Sequence, residues 1–588
     1  MIVKFLAILY FVIVILYNQC QVYVFYYSIS QDRQSFISTE KLQEQVPLNS
    51  IKSPTCIYPF DDFLTQYDRE KYKECVEKTK LLNEPDANTY EDAKQFYIKN
   101  YAKDEKVPQH FEPWYYFAKR RDCRINRYDG LHSQLLPFRT GEFSYNQLRD
   151  LVNLFNNSQL TSFYSKQGRT YIVVNSERAA AYKPVFSRLQ AYLPDFQFII
   201  NTHAQPVVLY NKNYEKFKKS KTKLNQYRVG LGKAELTIRG VKRNITKIKN
   251  FSDIIENSCE PDEYRSSLME GYGLFINPPE EYQTTKLMPI LSWGNYPGCT
   301  KDILVPSVYH YGTVNGAVLK TTIFRNWNSK YKRLVWRDAT SGSPFYMQEY
   351  SEYLPSHVCI DSCTIDQTQI LEPQRYSQKV WFWSHRQRAA AYALEYPSLL
   401  DIGLTNGVEM AEQFRKEIYY FHKRTYRFTF KRFFDYRYIL DIDGNGYSGR
   451  FQSLLQGNSL IFAAHYATDW FSDISIPFFH YIPVHMGYST IDTKILAADF
   501  KEKLMSLKTR FPKFTFKKTD KYDGINTPLG FNDLAPKVLY YQENDKLSEQ
   551  IAIQGQEFAK KYLRDDDMDC YLYRVIIELY EILKIDEK

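Results

Sequence analysis

The chain has 588 residues, with 77 Lys and Arg against 67 Asp and Glu, a formal net charge of +10. At 44% hydrophobic residues it can bury sizeable cores, and its length leaves room for two or three domains. The basic residues are scattered instead of forming one stripe, which argues against a nucleic-acid module, and the 51 Tyr read as compositional bias before any sugar-stacking platform.

In chain order, Met1–Lys4 carries one positive charge and Phe5–Tyr17 is a 13-residue apolar run broken by Asn18 and Gln19. That is short for a membrane span and suits a signal peptide, yet Val22–Tyr27 is apolar again, so an uncleaved anchor over Phe5–Tyr27 stays open. Either reading puts the body in the lumen of the secretory pathway, endoplasmic reticulum or Golgi. Apart from Cys20 there are eight cysteines: Cys56, Cys75, Cys123, Cys259, Cys299, Cys359, Cys363 and Cys570. In an oxidising compartment an even number predicts up to four disulfides, of open connectivity. Sequons at Asn156, Asn244 and Asn250 agree with lumenal exposure, the last two in a Lys/Arg-rich surface insertion.

Residues 28–105 are polar without a clear periodic core and read as an extension. YIVVNS from Tyr171 predicts a strand, Glu177–Leu193 an amphipathic helix, and DFQFIINTHAQPVVLY a further strand and loop. This alternation predicts a parallel sheet. A second set begins near Arg333, with a helix over Ala389–Tyr396 and strands over Tyr436–Asp441 and Ser459–Ala464, and a long helix spans roughly Lys546–Ile585.

The most informative stretch is YRYILDIDGNGYSGRFQSLL. An apolar strand runs into a turn holding Gly444, Gly446 and Gly449 and then a helical run. Such a strand–loop–helix presents free backbone N–H groups to an anion. Arg450 at the helix start, beside Ser448 and Gly449, would add a bidentate clamp on phosphate; the alternative is an ordinary strand–turn–helix with an exposed Arg. Arg386 and Arg388 in SHRQRAA open another helix, where acids would be the usual choice; two cations there make sense against bound phosphate. DIDGNG copies the start of an EF-hand loop, but the twelfth position is Gln452 and a strand precedes it, so calcium is rejected. His357, Cys359, Asp361 and Cys363 have ligand-like residue types, but in a lumenal chain their cysteines read as disulfides and not as a zinc site.

DIDGNGYSGRF, NSLIF and PFFHYIPV, with LMPILSWGNYPGCTKDILVPS, VWRDATSGSPF and FWSHRQRAAAYALEYPSLLDIGLT in the same order, resemble glycosyltransferase family 90. That family holds protein O-glucosyltransferases and fungal capsule-associated xylosyltransferases. The likeness extends over roughly Asp195–Ile585. It implies an α/β chain of GT-B type, two Rossmann-like domains facing a cleft, with the C-terminal helix packing back on the first. The expected divisions are a signal segment over 1–27, the extension over 28–105, an acceptor-side domain over 106–325, a nucleotide-sugar domain over 326–545 and the terminal helix over 546–588.

The resemblance implies a UDP-sugar donor, glucose or xylose, and inverting transfer to a protein hydroxyl or a glycan. No cofactor is expected, and a bridging divalent metal is open but not favoured. Membrane contact would come only through the N-terminal anchor. It assigns donor contacts to Arg337, Thr340, Ser341, Arg386, Arg388, Ser448, Gly449 and Arg450, with Trp336 and Phe451 near the uracil or sugar. Asp338 stands where the family has glycine, and an acid there repels pyrophosphate unless it pairs with an Arg. The family's acceptor base, an Asp between the Asn and Pro of N-x-x-D-x-P, is replaced by Ala204, between Asn201 and Pro206. His203, or a distant acid such as Asp195 or Glu177, would have to substitute. Otherwise the chain is a decayed relative that binds glycans or clients without turnover.

Overall fold

The computed structural model describes residues 56, 66–81, 88–102, 106–123, 128–140, 160–172, 176–208, 231–238, 241–248, 287–313, 324–342, 385–393, 396–407, 426–486, 531 and 533–584. The chain divides into Met1–Pro54, outside the described residues, and a unit spanning Thr55–Lys588. His357, Cys359, Asp361, Cys363, Asn156 and Asn250 also lie outside them. No described helix is long and apolar enough to cross a membrane.

The stretch expected as a polar extension contributes two packed helices. Helix α1 (Gln66–Leu81) is polar by composition, and polar contacts dock it: Asp68 accepts from the buried Lys537 at 2.6 Å, and the Cys56–Cys75 disulfide fastens its middle. Helix α2 (Tyr90–Tyr101) starts in a reciprocal capping box between Thr89 and Asp92. Helix α3 (Phe111–Arg120) buries Phe111, Trp114, Tyr115, Phe117 and Ala118, the spacing of one helical face. Helix α4 (Asp129–Leu135) completes this layer.

Strands β1 (Leu160–Lys166), β2 (Arg169–Ile172), β3 (Phe196–Asn201), β6 (Leu291–Ser292) and β7 (Ile303–Leu304) form one sheet in the order β2-β1-β3-β6-β7. Between β3 and β6, β4 (Leu231–Ile238) and β5 (Val241–Ile248) pair as a separate antiparallel hairpin carrying Asn244. The strand–helix–strand pattern predicts parallel neighbours, and β3, β6 and β7 are parallel, but β1 runs antiparallel to both β2 and β3. The cause is local. Gln167 and Gly168 both have positive φ, 49° and 72°, the two-residue turn that suits the twist of a hairpin. The helix expected over Glu177–Leu193 is split, because Pro184 begins a new helix, α5 (Lys183–Leu189), instead of continuing the first.

The second sheet is wholly parallel, ordered β12-β11-β10-β8-β9 from β8 (Tyr331–Asp338), β9 (Leu400–Leu404), β10 (Tyr436–Ile442), β11 (Leu460–Ala464) and β12 (Ile482–Pro483). Strands β10 and β11 are buried almost throughout, which explains their unbroken apolar sequence. Helix α6 (His385–Ala393) lies between β8 and β9 in the chain, and α7 (Phe451–Leu455) between β10 and β11. The fold is thus mixed α/β with two parallel-rich sheets.

The C-terminal helix is several. After α8 (Leu534–Glu543) come α9 (Asp545–Tyr562) and α10 (Asp565–Lys584), broken at Leu563 and Arg564. Asp567 accepts from the Arg564 backbone, and three aspartates occupy the first turn of α10, where the helix dipole favours them. Helix α9 packs on β11 and α7, whereas α10 packs on α3 and α5, so the tail bridges the two sheets' layers. The Cys123–Cys570 disulfide fixes α10 to the end of α3, and Cys299 is also disulfide-bonded.

Candidate functional site

The carboxyl ends of the two sheets meet. A Cβ added at Gly446 would fall 1.9 Å from the Ala204 carbonyl oxygen, so the glycine loop after β10 lies directly on the loop after β3. Tyr447 touches Gly294, Tyr309 touches Gly449, and Tyr296 Oη donates to the Asn445 carbonyl at 3.3 Å. In open α/β sheets this edge is where ligands bind. Gly342, at φ +94°, approaches the Gly444 carbonyl too closely for any side chain and donates its N–H to Asn445 Oδ1. The loops after β8 and β10 are therefore in backbone contact.

Arg386 clamps these loops together. Nearly fully buried, it donates to the carbonyls of Asp443 (2.8 Å) and Ala339 (3.0 Å) and to Ser341 Oγ (2.6 Å). Asp338, the acid in the expected nucleotide loop, pairs with Arg386 at 3.1 Å and Arg450 at 3.3 Å. Burial alone would raise its carboxyl, but those two cations hold it below the usual carboxylate range. It therefore enters the loop as a counter-ion and not as an isolated repulsive charge.

Arg450 is the expected cation that lies at the loop and keeps some exposure, with 19% of its side chain accessible. Nη1 donates to the Arg337 carbonyl at 3.1 Å, and Nη2 approaches Asp441 at 3.5 Å. Ser448 Oγ donates to Asp441 at 2.8 Å, and Gly449 lies beside it. The expected helix after Arg450 forms, but α7 has only five residues, so its dipole is short. Phe451 is buried against His465, Phe471 and Tyr481.

Other expected contacts are carried elsewhere. Arg337 turns toward β9 and binds Asp401 Oδ1 at 2.5 Å while lying over Phe428. Arg388, 1% exposed, donates to the Met486 carbonyl beyond β12 and lies over Phe531. Trp336 is fully buried under Arg386. Thr340 is buried, its N–H donating to the Asn406 carbonyl. The structure thus gathers Ser341, Arg386, Ser448, Gly449 and Arg450 at one edge and does not bring the Arg337 and Arg388 guanidinium groups to it.

On the opposing side, Asn201 fixes the loop by donating to the Gln205 carbonyl and accepting from the His203 N–H. Burial, with Arg178 nearby, pushes the His203 imidazole down to about 4. It is neutral at mild pH but weak as a base. Asp195 is exposed at the start of β3, the far end of the strand from Ala204, and Glu177 is exposed as well. Burial lifts Asp302 to about 6, yet it accepts from the Val207 and Val208 N–H groups and from Ser292.

Sequence reasoning passed over His465, the first residue beyond β11. Its Nε2 lies 2.9 Å from Asp441 Oδ2. Burial would lower this imidazole, but the Asp441 hydrogen bond and the charges of Asp443, Asp441 and Asp469 raise it above the ordinary value. Asp441 is held low despite its burial, by His465, Arg450 and Ser448. The signal was available: β10 and β11 pair Asp441 with Ala463, so the residue after Ala464 must lie near that carboxylate. Asp443 accepts from the N–H groups of Tyr466 and Ala467, which gives both acids of DIDGNG internal partners. Among the described residues no group of three or more His, Cys, Asp or Glu is arranged to hold a metal ion.

Over part of its length the chain is similar to protein O-glucosyltransferases. It is 25% identical over 184 residues to protein O-glucosyltransferase 3 of Rattus norvegicus, 31% of this chain and 27% of that protein. The human protein of the same name gives 24% over 184 residues, again 31% and 27%. Protein O-glucosyltransferase 2 of Danio rerio gives 22% over 156 residues, 26% of this chain and 22% of that protein. The likeness is to glycosyltransferases. The chain spans about a quarter of the length of each relative, and no protein-family model matches it.

Proposed function

We propose that the chain is a GT-B glycosyltransferase of family 90 in the secretory lumen, which moves glucose or xylose from a UDP-sugar to a protein hydroxyl or a glycan with inversion. Residues 326–545 would hold the donor and 106–325 would face the acceptor. The observation that carries this reading is the glycine loop of Gly444–Gly449 lying at the carboxyl edge of a parallel sheet, against the loop after β3, in a chain similar to protein O-glucosyltransferases. Negative charge grows on the departing UDP, and a prearranged cation lowers that barrier. Arg450 is the group placed to do so, exchanging Asp338 for phosphate while Arg386 keeps Asp338 neutralised. Ser341 and Ser448 would be lighter contacts.

A second reading is favoured by Ala204. The position pressed against the donor loop carries no carboxylate, as in a relative that binds without turnover. Purified full-length protein with UDP-glucose or UDP-xylose is expected to release UDP above the protein-free rate, water serving as acceptor. Tight UDP binding with no release would establish the binder instead, and absence of both would exclude either reading.

A further inference from the structure

If the chain is a transferase, the loss of an acid at Ala204 leaves the acceptor's proton without a destination. We propose that His465, oriented by Asp441, is the catalytic base that takes it. This rests on the transferase reading and assigns a residue to the step which that reading leaves empty.

Three observations meet at His465. First, its Nε2 is engaged by Asp441 at 2.9 Å, and Asp441 is 0% exposed, held also by Ser448 and Arg450. A carboxylate on Nε2 favours the Nε2–H tautomer and leaves Nδ1 as the ring atom with a lone pair to take a proton. Nδ1 has no hydrogen-bond partner among the described residues. Second, the ring's direction is set by Phe451, which meets it edge-on at 4.6 Å between ring centres. Third, the ring lines a crevice of about 280 Å³ between the loop after β11 and α1, with Tyr67, Tyr466 and Tyr481 also in its walls. That is near the ~300 Å³ lower bound of small-ligand sites, space for one sugar ring or a hydroxyl-bearing side chain. Lys78 of α1 closes the far wall by donating to the carbonyls of Ser472 and Ser475.

The same Asp441 bridges His465 to Ser448 and Arg450, so the base sits one carboxylate away from the diphosphate clamp. As the acceptor oxygen bonds to the anomeric carbon, its proton passes to Nδ1. The bond from that carbon to UDP breaks, and its electron pair leaves on the β-phosphate oxygen. The competing groups serve less well. His203 is too weak a base, Asp302 spends its oxygens on Val207, Val208 and Ser292, and Asp469 is engaged with Ser472 outside the walls of this crevice. The charged groups around the ring are Asp441 from β10, Asp443 from the glycine loop, Asp469 and Asp473 from its own loop, and Glu70, Lys71, Glu74 and Lys78 of α1 across the crevice. The three acids nearest it raise the imidazole, so the free base is lost as pH falls through a value above 6.5.

The test is UDP release from UDP-glucose and UDP-xylose by the full chain and by His465→Gln, as a function of pH, with UDP affinity measured alongside. Release by the wild type is expected to climb with pH through an apparent pKa above 6.5. In His465→Gln it falls by roughly 10²- to 10⁴-fold, the usual size of a general-base contribution, while UDP affinity stays within about threefold. Equal release by the variant, or a wild-type profile with no ascending limb, overturns this assignment and leaves the transferase intact. A wild type that binds UDP but releases none at any pH overturns both. Should the variant not fold, the wild-type profile alone decides.

Discussion

Arg450→Ala is expected to weaken UDP binding by roughly 10- to 200-fold in a calorimetric titration. A hydrogen bond to a charged group contributes about 1.5–3 kcal/mol, and each ~1.4 kcal/mol is tenfold in affinity. The variant should fold, because Asp338 keeps Arg386 at 3.1 Å and Asp441 keeps His465 and Ser448. The loss should therefore appear in affinity more than in stability. Arg337→Ala is the control: its guanidinium binds Asp401 on the other side of β8, so UDP affinity should stay within about twofold while stability drops. Unchanged affinity in Arg450→Ala would remove that residue from the site, and a loss confined to Arg337→Ala would move the site toward β9.

Arg574→Ala should lower unfolding free energy by about 3–5 kcal/mol, the usual cost of breaking a buried charge pair. Arg574 is 2% exposed and pairs with Glu578 at 2.7 Å. The rings of Tyr97, Phe111 and Trp114 surround its guanidinium at 4.8, 4.6 and 4.3 Å. Among the described residues its Nε and Nη1 have no hydrogen-bond acceptor, and facing ring electrons is how such a cation tolerates burial. Glu578 also accepts from Tyr97 and Arg139, so the pair locks α10 to the α2–α4 layer. Arg574→Lys should cost less than Ala but still destabilise, since an ammonium does not reproduce the flat stacking group. Denaturant midpoints with unchanged slope would report these values; a shift below ~1 kcal/mol for Ala would mean that the cage is not a principal fastening.

The half built on the second, wholly parallel sheet was the more legible in sequence. Strands β10 and β11 announced themselves because a parallel strand covered on both faces must be apolar throughout, and of the glycines between them Gly446 lies against the Ala204 carbonyl while the Gly444 carbonyl is met by Gly342 from the loop after β8. What the sequence concealed were partners distant along the chain. Arg337 is spoken for by Asp401, 64 residues later, and Arg388 by the Met486 carbonyl, 98 residues later. Neither contact leaves a local trace. Helix α1 was hidden for a different reason: its buried positions include Asp68 and Thr79, so its docking is polar and gives no apolar stripe. The β1–β2 hairpin did have a signal, the Gln167-Gly168 pair between strand-like runs, which the strand–helix–strand pattern overshadowed. His465 was legible only once the β10–β11 register put it beside Asp441.

The central claim is that the edge where the glycine loop meets the loop after β3 binds a uridine diphosphate. Hydrogen–deuterium exchange of the full chain, with and without saturating UDP, tests it most directly. The account predicts slowed exchange in peptides covering 339–342, 443–452 and 202–205. Protection confined to other segments, or none at all, would contradict it.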